Sequence, residues 1–229
     1  MKNQRASLNA RAWVALAILA LVMGLLLFVP AGTVDYWQAW FYLAIFFGGG
    51  ALLTLYLIRN DPALLERRMS GGPTAEKRAA QQVIIVATSL CFIALIVVPA
   101  FDHRYGWSSV PLYAVLAGGA LIVVGFYFIF LVYKENTFTS ATIQVVADQR
   151  VVSTGPYAIV RHPMYASGLL YLLGTPIALG SYWGLIPFAC LLPFLIWRLF
   201  DEEQLLRETL PGYREYQQKV RHRLLPGIW

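Results

Sequence analysis

Long apolar runs alternate along this chain with shorter stretches that hold nearly all its charge. The runs are about Trp13–Val29, Tyr36–Ile58, Val83–Phe101 and Val110–Tyr133. As helices, runs of this kind can cross a hydrocarbon layer of about 30 Å. A further apolar block, Tyr165–Phe200, is broken at Gly180-Ser181-Tyr182-Trp183-Gly184, which predicts two helices joined by a tight turn. Backbone in lipid has no water to bond, and a helix satisfies it internally. The pattern therefore predicts an all-α polytopic membrane protein with about four transmembrane helices and a C-terminal helical hairpin.

The polar stretches are Arg59–Gln82, Lys134–His162 and the tail Asp201–Trp229. The second is too long for a simple turn. Within the tail, Tyr213 to Trp229 is expected to form an interfacial helix, with Arg214, Lys219, Arg221 and Arg223 near lipid head groups. Pro176, Pro187 and Pro193 predict kinks in the hairpin, because each removes a backbone donor. Gly118, Gly119 and Gly125 predict close packing of the fourth helix. No repeat or compositional shift marks a second domain. The expectation is one domain, 1–229, with helices one to four in 1–133 and the candidate chemistry in 134–229.

Composition sharpens this picture. Of 229 residues, 59% are hydrophobic and 13% charged, against about 25% charged in soluble domains. A net charge of +6 would suggest a nucleic-acid partner in a soluble chain; here it reads as membrane topology. If the N-terminus, the three polar stretches and the Arg198 end of the hairpin share one side, that side holds every Lys and Arg except Arg104. Asp35 and Asp102 fall on the other side with Arg104. The positive-inside rule puts the basic side in the cytoplasm, with both termini there and an even number of crossings. The first run is followed by Asp35-Tyr36-Trp37 rather than a small-residue cleavage pattern, so it reads as an uncleaved helix. Cys91 and Cys190 lie in apolar runs at no metal or redox spacing.

Two polar clusters flank the hairpin and can meet on one side of the bilayer. The first is Gly155-Pro156-Tyr157-Ala158-Ile159-Val160-Arg161-His162-Pro163-Met164-Tyr165. Pro163 disfavours helical geometry at His162, which bends that backbone and leaves it available to a ligand. Tyr157 and Tyr165 read equally as interfacial aromatics or as walls for a flat ligand. The second cluster holds Arg198 and Glu202, four apart on one helix face, and the acids Asp201, Glu202 and Glu203. Arg198 with Glu202 reads as a salt bridge or as part of a site. Acidic charge at a helix C-terminus opposes the dipole, so either the helix continues or a cation binds there. Three acids without a nearby set of histidines argue against a metal. No dinucleotide fingerprint, Walker loop or nucleophile elbow is present.

Taken together, Gln144, Gly155-Pro156-Tyr157, Arg161-His162-Pro163-Met164-Tyr165, Arg198, Glu202-Glu203, Pro211-Gly212-Tyr213-Arg214-Glu215-Tyr216 and Leu225-Pro226-Gly227 resemble the isoprenylcysteine carboxyl methyltransferase family in its bacterial branch. The wider group of that family includes phospholipid N-methyltransferases. Arg59-Asn60-Asp61-Pro62-Ala63-Leu64-Leu65-Glu66-Arg67-Arg68 is also similar to the first cytoplasmic loop of bacterial members. The resemblance implies S-adenosylmethionine as cofactor, bound from the cytoplasm by Gln144, Gln149, Arg150, Val151, Val152, Tyr157, His162, Pro163, Met164, Tyr165 and Glu202. It makes Arg198 the substrate-carboxylate arginine and, with Glu202, the catalytic pair, with no metal. The acceptor it implies is lipophilic, bearing a carboxylate, amine or thiol, in a bacterial inner membrane. An amine or thiol must lose a proton, and His162 is then the nearest base. Two other readings compete: a nicotinamide-dependent membrane reductase of the sterol-reductase type, and a non-enzymatic membrane protein.

Overall fold

The computed structural model describes residues 2–70, 79–142 and 149–229. Among these every regular element is helical: α1 (Lys2–Ala31), α2 (Trp37–Asn60), α3 (Pro62–Met69), α4 (Ala79–Tyr105), α5 (Leu112–Glu135), α6 (Pro163–Ala178), α7 (Leu185–Thr209) and α8 (Tyr213–Lys219), with a 3-10 turn at Gly155–Ala158. Four helices, α1, α2, α4 and α5, are long and apolar enough to cross a membrane. They correspond to the four predicted runs; each ends two to four residues beyond its run, and α1 begins at Lys2, well before Trp13. α6 and α7 are the predicted hairpin, and α7 runs past Phe200 through the acidic cluster, so the helix continues there.

The hairpin reaches from one end of the bundle to the other. At the far end, the Tyr36 hydroxyl donates to the Leu179 carbonyl at 2.6 Å, and Ser181 Oγ donates to the buried carboxylate of Asp102. Asp102 also accepts from the backbone N–H and the hydroxyl of Ser108, both at 2.6 Å. These bonds fix the turn of the hairpin against the ends of α2 and α4.

Lipid tails are as apolar as leucine, so helices in a membrane associate by close packing more than by the hydrophobic effect. α5 and α6 run antiparallel and nearly touch. A Cβ on Gly118 would stand 2.5 Å from the Ala178 backbone nitrogen, and one on Gly174 would stand 2.5 Å from the Gly118 carbonyl oxygen. A Cβ on Gly125 would meet the Ser167 carbonyl at 3.0 Å. Gly119 packs instead on Phe41 and Ile45 of α2. Buried Met23, Leu27, Tyr42, Ile96, Ile122 and Leu179 join α1, α2, α4 and α5 to the end of α6. Leu95, Leu172, Leu191 and Leu195 join α4, α6 and α7.

Two polar regions differ from expectation. The stretch after α2 contains α3, started by Asp61, whose carboxylate accepts from the Leu64 N–H at 2.9 Å with Pro62 at the first helical position. This is the N-cap arrangement that satisfies a free helix donor. The tail is not one interfacial helix to Trp229. α8 ends at Lys219, and residues 220–229 fold back over the start of α6. The reason is Glu203, a fully buried carboxylate that requires cationic partners, one of which is Arg223 from the tail.

Candidate functional site

Both polar clusters come together at the end of the bundle where α2 and α5 end and α4 begins. Pro163 opens α6, and His162 before it is the N-cap at φ −123°, ψ 61°, outside helical geometry as the proline requires. Its backbone is not free for a ligand, however. The His162 N–H donates to the Arg223 carbonyl at 2.9 Å, and the Arg161 N–H to the His222 carbonyl at 2.9 Å. The tail occupies the place that the sequence suggested for a ligand.

Glu203 is the hub of this end. Its Oε1 accepts from Arg161 Nε at 2.7 Å and lies 3.3 Å from His162 Nε2, and its Oε2 accepts from Arg223 Nε at 3.3 Å. Arg161 also donates to the carbonyls of Val220 and Arg221 at 2.8 and 2.9 Å. The Arg223 guanidinium lies against the rings of Phe200 and Trp229, 5.2 and 5.3 Å from their centroids. Burial would raise the Glu203 carboxyl, but hydrogen bonds from His162 and Arg161 and their charges reverse this and hold it down to about 2. Arg161 and His162 are thus tied to Glu203, although both still form part of the cavity wall.

The adjacent carboxylate has a different role. Glu202 faces a cavity of about 380 Å³ and accepts a hydrogen bond from the Tyr165 hydroxyl. Arg198 donates from Nη1 to Gln81 Oε1 at 2.9 Å and from Nη2 to the Ala141 carbonyl at 3.2 Å. Gln81, fully buried in the first turn of α4, donates in turn to the Asp201 carboxylate. Gln81 and the Ala141 carbonyl together hold the Arg198 guanidinium. Nothing in the sequence marked Gln81, because a lone glutamine at the start of an apolar run reads as an interfacial residue.

The remaining wall comes from loops. Gln149, Arg150, Val151 and Val152 line the cavity as an irregular extended strip, with Arg150 exposed at the rim. Val151 and Val152 make no backbone hydrogen bond with any described residue. Gly155, at φ +55°, turns this strip into the 3-10 helix that carries Tyr157; left-handed geometry there favours glycine. Asn136 donates to the Tyr157 hydroxyl at 3.0 Å, and the Tyr216 hydroxyl donates to the Tyr157 carbonyl at 2.7 Å. Burial, with the Glu202 charge nearby, pushes the Tyr157 hydroxyl above its ordinary range, so it stays a neutral phenol.

Every expected site residue among those described lines this one cavity: Gln149, Arg150, Val151, Val152, Tyr157, His162, Pro163, Met164, Tyr165, Arg198 and Glu202. Gln144 lies outside the described residues. The structure adds Arg68, Asn136, Tyr213 and Tyr216 to the wall. Tyr213 is 4% exposed, and its hydroxyl has no hydrogen-bond partner among the described residues. A buried hydroxyl with no partner costs free energy, and a ligand in the cavity is the natural source of one. Sequence reasoning quoted Tyr213 only as part of a motif, because a tyrosine in a basic tail gives no sign of facing inward.

The sequence model of the phospholipid methyltransferase family matches residues 113–211. That span holds α5, α6, α7 and most of the cavity wall, including Tyr157, His162, Tyr165, Arg198 and Glu202. No curated protein matches the chain. The match is in line with the resemblance carried by the Arg-His-Pro and Glu-Glu motifs.

Proposed function

We propose that the protein is an integral-membrane methyltransferase that uses S-adenosylmethionine and acts on a lipophilic acceptor. The observation that carries this reading is the single cavity that gathers the strip 149–152, the Tyr157–Tyr165 segment, Arg198 and Glu202. The residues suit the cofactor. A volume of about 380 Å³ is within the range of small-molecule sites. Glu202, which accepts a hydrogen bond from a phenol, has the charge to hold an ammonium. Val151 and Val152 offer unspent backbone groups, and Tyr213 an unpartnered hydroxyl, to the polar edge of a nucleoside.

S-adenosylmethionine, when bound, supplies a methyl group activated by a sulfonium. Transfer would join that carbon to an acceptor lone pair, with the electrons of the broken carbon–sulfur bond kept by sulfur as a neutral thioether, and the chain's residues would set the geometry. The chain's task is alignment and exclusion of water. Arg198, fixed by Gln81 and the Ala141 carbonyl, orients an acceptor carboxylate through its fork of donors. Tyr165 sets the rotamer of Glu202. With a carboxylate acceptor, opposite charges cancel in the transition state, and a low-dielectric cavity favours that cancellation.

Thermal stabilisation of the detergent-purified protein tests the reading, because a ligand that binds only the folded state raises its melting temperature. S-adenosylhomocysteine is expected to stabilise the wild type and NADPH to leave it unchanged; the reverse would favour the reductase. Glu202→Ala is expected to lose that stabilisation. Arg198→Ala should keep it while methyl transfer into membrane extracts falls by about 100-fold or more, the loss expected when a buried charged hydrogen-bonded partner is removed. Full turnover in both variants would overturn the assignment.

A further inference from the structure

The 136–142 loop forms one side of the cavity, and α3 holds that loop from outside. Every residue of the loop lines the cavity except Thr137. Thr137 turns the other way, and α3 grips it from two directions. Its hydroxyl donates to the Asp61 carboxylate. Arg67 Nη2 donates to its carbonyl and, at 3.1 Å, to its hydroxyl oxygen. Asp61 uses its other oxygen to cap α3 through the Leu64 N–H. The residue that starts the helix thus supplies one side of the grip, and Arg67 in its last turn supplies the other. Arg67 itself lies outside the cavity wall, and α3 lies outside the stretch matched to the family.

The grip on Thr137 sets the residue before it. Asn136 donates to the Tyr157 hydroxyl at 3.0 Å and accepts from the Phe138 N–H at 2.9 Å. Its side chain spans Thr137, so its direction depends on where Thr137 is held. Fixing irregular backbone costs conformational entropy, and a segment with few holding contacts opens readily. We propose that Arg67 is a positioning residue of the cavity: it clamps Thr137 to α3 and, through Asn136, holds Tyr157 in the geometry that a bound cofactor needs. The nature of that ligand rests on the methyltransferase reading; the clamp itself does not. Arg198 depends less on the clamp, because Gln81 bonds it as well as the Ala141 carbonyl. The clamp also gives α3 a task, since this short helix ties the α2–α4 connection to the cavity wall.

Arg67→Ala tests the clamp in the full chain in detergent. Amide hydrogen exchange without cofactor should speed up about fivefold or more in residues 136–142 and stay unchanged in α6 and α7. S-adenosylhomocysteine binding, by calorimetric titration, should weaken about fivefold, the scale of coupling through a short hydrogen-bonded network. In membrane extracts the KM for S-adenosylmethionine should rise by a similar factor, with kcat within about twofold because Arg198 keeps Gln81. Arg67→Lys, which keeps the charge and loses the fork, should fall between; it also serves if the alanine variant does not fold. Glu66→Ala, one residue away on α3 and exposed, should leave every value unchanged, which separates the clamp from a general loosening of the helix. In an Asn136→Ala background, Arg67→Ala should add little further loss of binding, because the route is already cut. Unchanged exchange, faster exchange with binding intact, or full additivity with Asn136→Ala would each overturn the proposal. Failure of the wild type to bind S-adenosylhomocysteine would instead count against the methyltransferase reading, and the exchange result would then decide alone whether Arg67 clamps the wall.

Discussion

Neighbouring glutamates on α7 have separate tasks. Glu202 looks into the cavity; Glu203, one residue on, is buried and holds Arg161, His162 and Arg223 together. The sequence presented them as one acidic cluster, and helical geometry separates them, since successive side chains point about 100° apart. Removing the charge of Glu203 leaves buried cations without their partner, the costly case for buried ion pairs. Glu203→Gln is expected to lower stability by about 3 kcal/mol, read as a fall in melting temperature in detergent. The acid profile gives a second readout. The carboxyl is held down to about 2 in the fold, against an ordinary value of 4.5. Its stabilising contribution is therefore complete above about pH 4.5 and is lost as pH falls toward about 2. The wild type should lose stability across that window, and Glu203→Gln should be flatter there. Identical slopes for the two proteins would remove Glu203 as the group responsible.

At the scale of elements, the membrane helices were legible because lipid imposes a simple rule: backbone must be satisfied within the helix, over the thickness of the hydrocarbon layer. All four predicted runs and the hairpin with its break at Gly180–Gly184 are present. The glycines of α5 were legible for a related reason, since close approach is the main source of helix affinity in lipid. What the pattern hid was decided by tertiary polar contacts. α3 is eight residues long, too short for a periodic signal, and it is anchored by Arg67 and Arg68 to carbonyls of the 136–142 loop. The return of the tail depends on Glu203, more than fifteen residues away in sequence. α5 and α6 together set the position of the cavity, because α6 begins at Pro163 in its wall. Gly118→Ala places a methyl group 2.5 Å from the Ala178 nitrogen, so the helices must separate. The expected cost is about 1–3 kcal/mol, with weaker S-adenosylhomocysteine binding. Gly24→Ala, where a Cβ meets nothing within 4 Å, should leave both unchanged. Equal effects of the two substitutions would mean that the α5–α6 contact does not control the site.

For the whole molecule, charge and cavity coincide. Arg59, Arg67, Arg68, Arg161, Arg198 and Arg223 lie at the end that holds the cavity, whereas Asp35, Asp102 and Arg104 lie at the end where Ser181 closes the hairpin. By the positive-inside rule the cavity is expected to face the cytoplasm, the compartment from which the proposed cofactor would arrive. The prediction can be checked with two exposed positions, Asp35 at the far end and Glu66 on α3. In a variant lacking Cys91 and Cys190 and expressed in a bacterial inner membrane, Asp35→Cys should react with a membrane-impermeant maleimide in intact cells. Glu66→Cys should react only after the membrane is opened. The opposite pattern would turn the cavity away from the cytoplasm and withdraw the cofactor assignment, because no residue lining that cavity could then meet a cytoplasmic S-adenosylmethionine.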